Sequence, residues 1–88
     1  MPRRIKTADI TKVVIDSGHE LSEWVHGDWD PGFRTAQAGP RQVNAFYDGP
    51  GEAAQLAALT SELRASGYHV HSTQQDRGGR RRLEVTRP

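Results

Sequence analysis

The sequence predicts a small α+β domain in the order αββαββ, with a four-stranded antiparallel sheet and both helices packed on one face. Three observations carry this reading. Leu56, Leu59 and Leu63 fall on one stripe of an alanine-rich segment, which is helical spacing. Gly67 then stands where a helix needs a left-handed residue to stop, and Tyr68-His69-Val70-His71 switches to period two. Two pairs of β-capable runs are each divided by a glycine-bearing turn, at Gly39-Pro40-Arg41 and at Asp76-Arg77-Gly78-Gly79.

In chain order, the first helix is expected over Thr7 to Asp16. Thr7 suits its cap, Asp9 its positive end, and Ile10, Val13 and Val14 share a face before Ser17-Gly18 stops it. The β-branched run Val13-Val14-Ile15 argues against a helix, since it suits a strand as well. From His19 to Gly32 the pattern dissolves. Leu21 to His26 reads as a short strand or a helical turn, most of the rest as loop, and Asp30-Pro31-Gly32 as a closing turn.

Two strands follow, Phe33 to Ala38 and Gln42 to Tyr47. Phe33, Thr35 and Gln37 share one side, and Val43, Ala45 and Tyr47 another, with Arg34, Ala36, Asn44 and Phe46 opposite. Asp48-Gly49-Pro50-Gly51 turns the chain, and Glu52 opens the leucine-striped helix. The last hairpin pairs Tyr68 to Gln74 with Arg81 to Thr86, with Tyr68, Val70, Leu83 and Val85 as its apolar side. Residues 1–5 and 87–88 are expected to fray. The order of elements is also what a ferredoxin-like βαββαβ domain becomes when its first strand is moved to the end, a topological resemblance that leaves function undetermined.

The 88 residues make one domain, and a hydrophobic fraction of 34% allows only a small core. With no cysteine, disulfides, thiolate nucleophiles and the commonest zinc sites are excluded. No apolar run approaches the roughly 20 residues of a membrane span, and the basic start is followed by Thr7 and Asp9, so no membrane partner and a cytoplasmic location are expected. Charge is unevenly placed. Residues 1–12 carry +3, residues 13–63 carry −6 and residues 64–88 carry +4, within a total of +1. Basic ends flank an acidic centre, a layout that steers an anionic partner or lets the ends satisfy the middle.

The densest charge cluster is the run from Arg77 to Arg82. Arg77, Arg80, Arg81 and Arg82 around a Gly-Gly tip are suited to bidentate phosphate contacts, with Arg3, Arg4 and Lys6 as an extension. The plainer reading is a solvated tip whose charge protects an edge strand. Alternation divides the run, since Arg80 and Arg82 face one way and Arg81 the other. A pI of about 8.3 falls short of a strongly basic footprint.

A second candidate is the acidic tryptophan loop. Trp24 and Trp29, set among Asp28 and Asp30, form either a protein-docking loop or a flap that lends its indoles to the core. His69 and His71 share a strand face and are the nearest thing to a metal pair, but no third ligand stands at a recognisable spacing, so no metal is expected. No nucleophile elbow, phosphate-binding loop, dinucleotide fingerprint or zinc-protease motif is present, so no cofactor and no enzyme activity are expected. The function expected from sequence is a non-enzymatic binding module, of the kind phage and mobile-element reading frames encode, that contacts nucleic acid through its arginine-rich hairpin. The alternative is a protein-interaction or homodimerising module that uses the tryptophan loop or a sheet edge.

Overall fold

The computed structural model describes residues 4–22, 24–25, 28–29, 31–74 and 81–88, with the backbone alone for 24–25 and 28–29. Its elements are α1 (Thr7–Asp16), β1 (Trp24–Val25), β2 (Asp28–Trp29), β3 (Gly32–Gly39), β4 (Gln42–Asp48), α2 (Glu52–Ala65), β5 (His69–Gln74) and β6 (Arg81–Thr86). Apart from the small β1–β2 hairpin, this is the expected αββαββ order.

The two helices stop in the same way. Gly18 and Gly67 adopt positive φ values of 81° and 93°, which cost glycine no steric penalty. Each terminus carries the same pair of backbone bonds. Gly18 donates to Ile15 and His19 to Val14; Gly67 donates to Arg64 and Tyr68 to Leu63. This Schellman arrangement satisfies carbonyls that the helix leaves open and releases the chain sharply. The start of α1 differs from expectation. Thr7 is the first helical residue, and its N–H donates to Gln37 of β3. The cap position is Lys6, whose N–H donates to the Asp9 carboxylate at 2.9 Å.

β3, β4, β6 and β5 form one antiparallel sheet in that order. β4 and β5 therefore run parallel with β6 between them, and α2 joins them as a split βαβ crossover, a feature of ferredoxin-like topology. In the register Phe33 opposes Tyr47, Thr35 opposes Ala45, Ala45 opposes Leu83, and both Val43 and Val70 oppose Val85. All of these side chains fall on one face, and both helices cover it.

The core joins Ile10 and Val14 of α1, Leu56, Leu59 and Leu63 of α2, and Phe33, Val43, Ala45, Val70, Leu83 and Val85 of the sheet. Ile5 completes it at 2% exposure, so burial reaches into the stretch expected to fray. At the other end Arg87 pairs with Asp9 at 3.1 Å and lies over the Tyr68 ring. Val14 resolves the ambiguity of the β-branched run, because its burial against the sheet outweighs its weak helix propensity. Ile15, on the far side of α1, is 55% exposed.

Two further departures stand out, the first in the segment before β3. Trp24–Val25, inside the stretch expected as a short strand or a helical turn, pairs with Asp28–Trp29, where a loop was expected, and Leu21 bridges to Phe33 in parallel. Gly32 is the reason the chain can pass so close. A Cβ there would lie 2.6 Å from the backbone of Leu21 and Ser22. The other departure is the start of the fifth strand, which begins at His69, one residue later than expected, because Tyr68 closes the helix stop.

Candidate nucleic-acid interface

The helices cover one face of the sheet, and among the described residues no helix lies on the other, the open face. Parity decides which residues it displays: Arg34 and Ala36 from β3, Asn44 and Phe46 from β4, Arg82, Glu84 and Thr86 from β6, His69, His71 and Thr73 from β5. The register sets them in rows across all four strands. Ala36, Asn44, Glu84 and His71 form one row. One step along, Arg34 opposes Phe46, Arg82 opposes Thr73, and continuing the β4–β6 register sets Phe46 beside Arg82. An aromatic ring on a central strand thus stands between two guanidinium-bearing residues.

The two arginines are held differently. Arg34 grips Asp48 through Nε at 2.6 Å and through a terminal nitrogen at 3.3 Å, and its guanidinium carbon lies 5.6 Å from the Phe46 ring centre. That is a fixed fork over an aromatic face. Arg82 reaches Glu84 by a single contact of 3.4 Å, and its buried Nε meets no hydrogen-bond partner. The Thr73 hydroxyl, its neighbour in the row, is also buried without one. Redirecting the Arg82 head toward a new acceptor therefore sacrifices little. Signs are balanced on this face, since each of these guanidinium groups faces a carboxylate.

The basic residues singled out in the sequence do not form one patch. Ile5 donates to the Pro40 carbonyl, and Gln37 donates to the Ile5 carbonyl, so exposed Arg4 and Lys6 sit at the β3–β4 turn end of the sheet, near Arg41. Arg81, paired with Gln74, lies at the opposite end along the strands, and its side chain belongs to the helix side while that of Arg82 belongs to the open face. Arg3, Arg77 and Arg80 lie outside the described residues. So do Asp30 and the side chains of Trp24, Asp28 and Trp29, of which the last three lie on the β1–β2 hairpin.

His69 and His71 are exposed on the open face as expected, beside Gln42, Glu84 and Thr86 in a shallow depression. Among the described residues no group of three His, Asp or Glu side chains is placed to hold a metal ion. A histidine pairing that the sequence does not reveal lies elsewhere. His19 Nε2 meets Glu62 Oε2 at 2.6 Å, and the imidazole stands edge-on to Phe33, whose ring meets Tyr47 in the same manner. Forty-three residues separate the pair. It ties the loop after α1 to α2, beside a cleft lined by Tyr47 and Gln55 among others.

Compared with protein-family models, curated proteins and solved structures, the chain matches none. The surface chemistry alone carries the functional reading. No helix among the described residues is long and apolar enough to cross a membrane.

Phe46 and Arg34 are candidate residues that sequence reasoning passed over. Alternation sets Arg34 on the side opposite Phe33 and Phe46 on the side opposite Val43, but that they form one row with Arg82 depends on the β4–β6 pairing. That pairing joins residues some 40 positions apart, and no local signal announces it.

Proposed function

We propose that this domain is a non-enzymatic binding module that takes single-stranded nucleic acid on its open sheet face. The observation that supports this reading is the row of half-buried residues Arg34, Phe46, Arg82 and Thr73 across the side of the sheet that the helices do not cover. Unpaired bases stack on aromatic rings and on guanidinium planes, and an open four-stranded sheet presents both without distortion of its backbone. Arg34 supplies the fixed plane, Phe46 the ring, and Arg82 the cation that can turn to a phosphate. A base in a duplex hides its faces, so single strands suit this surface better than duplex. Arg77 and Arg80 join the proposal on sequence grounds, as extra phosphate contacts on the hairpin between β5 and β6.

The test is fluorescence anisotropy with a mixed-sequence single-stranded oligonucleotide at two salt concentrations. Binding is expected to weaken as salt rises, because each phosphate contact releases counterions. Phe46→Ala should cost about 1–3 kcal/mol of affinity, the usual worth of one stacked base. Absence of binding at low salt, or equal preference for duplex, overturns the reading.

A further inference from the structure

The sheet has two edges, and they are finished differently. On β3, Phe33 turns its backbone outward and both groups are taken: its N–H donates to the Glu20 carbonyl and its carbonyl accepts from Ser22, each at 2.9 Å. The direction of every other strand follows from that fact. In an antiparallel ladder the backbone groups of successive residues alternate between the two sides of a strand. β3 must then bond β4 through residues 32, 34 and 36, and β4 bonds β6 through Val43 and Ala45. β6 in turn bonds β5 through Arg82, Glu84 and Thr86, which β5 answers with Thr73, His71 and His69.

Val70, Ser72 and Gln74 therefore aim their N–H and C=O groups away from the sheet. Arg64 of α2 agrees with this direction, since it donates to the Val70 carbonyl at 3.1 Å. At Ser72 neither outward group meets a partner among the described residues. The strand has no proline, lysine or bulge to blunt it.

The same three residues turn their side chains to the helix side, where a groove of about 400 Å³ runs between α2 and the β5–β6 hairpin. Leu56, Ala57 and Leu83 contribute apolar surface, and Thr60, Ser61 and Ser72 contribute hydroxyls. Its cations are Arg64, held beside Val70, and Arg81, opposite Gln74 in the register. Residues 70 and 74 are four strand steps apart, about 13 Å. No carboxylate among the described residues lines the groove.

We propose that this groove receives an extended acidic peptide as a fifth strand on β5. The peptide backbone pairs with Ser72. A small apolar side chain opposite Ser72 packs toward Leu56 and Ala57 of α2, and carboxylates two residues to either side meet Arg64 and the long Arg81 side chain. Recognition thus reads the spacing acid, any, small apolar, any, acid. The site lies on the opposite face from the row around Phe46 and does not depend on it.

The test compares two fluorescein-labelled peptides by anisotropy, one built around Glu-Thr-Val-Thr-Glu and the other around Lys-Thr-Val-Thr-Lys. The acidic peptide is expected to bind at least about tenfold more tightly, and Arg64→Glu with Arg81→Glu should reverse the preference. Ser72→Pro removes the outward N–H and leaves the pairing with β6 in place, so it should weaken binding about tenfold with an unchanged thermal transition. If Ser72→Pro disturbs folding, the double charge reversal decides. Equal affinity for the two peptides, or full binding by a folded Ser72→Pro protein, overturns the proposal. So does a dimer in sedimentation that Ser72→Pro converts to monomer, because a second copy would then occupy the edge.

Discussion

The two faces of the sheet are made from alternate residues of the same strands, yet they do opposite work. On the covered face Val43, Ala45 and Val85 are sealed from water at 0% exposure, and each touches a helix or another strand's apolar side chain. On the other face Asn44, Phe46, Arg82 and Glu84 keep part of their surface in solvent, and their contacts are polar or ring contacts: Gln42 with Asn44, Arg34 with Phe46 and Arg82 with Glu84. Stability is concentrated on one side and chemical variety on the other. A domain with so small a core has little apolar burial to spare, and the strand positions the core does not need carry mostly polar residues.

The sharpest way to test this division is a matched pair of truncations. Leu59→Ala removes a fully buried side chain from between α2 and the sheet, and should destabilise the domain by about 2–5 kcal/mol. Phe46→Ala removes a larger side chain from the open face and should cost under about 1 kcal/mol of stability while it abolishes much of the oligonucleotide binding. Urea unfolding of both variants measures the contrast. A Phe46→Ala protein as unstable as Leu59→Ala would show that the open face is a second core.

A smaller effect is expected at Gly32, where the backbone of residues 20–22 crosses β3. Ala there places a Cβ against backbone atoms at 2.6 Å, at a φ of 154°, and should cost about 1–3 kcal/mol. Amide exchange should locate the damage, since Ser22 and Phe33 would lose protection while β5 and β6 keep theirs.

The smallest effect is the start of α1. The Asp9 carboxyl is held below its ordinary value of 3.8, first by the Lys6 backbone N–H and then by the Arg87 guanidinium. The folded form therefore binds the proton less readily than the unfolded form. The stabilisation is complete above the ordinary carboxyl value and is lost as pH falls through the lowered folded one. Asp9→Ala should cost about 1 kcal/mol at neutral pH and flatten the acid limb of the stability profile. A variant whose acid limb matches the parent protein would assign that limb to other carboxylates.

Much of the fold is legible because its signals are local. Both helix ends are set by a Ser-Gly pair, the leucine stripe of α2 repeats within two turns, and the strand parities follow from alternation. The β1–β2 hairpin is not legible, because Trp24–Val25 and Asp28–Trp29 are too short to show a period. Nor is the cap at Lys6, since it depends on Asp9 reaching back and on Gln37 arriving from β3 to take the Thr7 N–H. The candidate site is divided in the same way. Alternation alone separates Arg81 from Arg82, but the meeting of Arg34, Phe46 and Arg82, and the pairing of His19 with Glu62, arise from chain segments that only the folded sheet and helices bring together.

The place of β6 between β4 and β5 has a consequence for how the molecule is made. A ribosome delivers α1, β3, β4, α2 and β5 in that order, and through all of it β5 has no strand to pair with. Only when β6 emerges can it slot between two strands already synthesised and bond both at once. Until then β3 and β4 are a hairpin with helices beside it and β5 is a solitary strand, and the arrival of β6 is the step that locks the sheet.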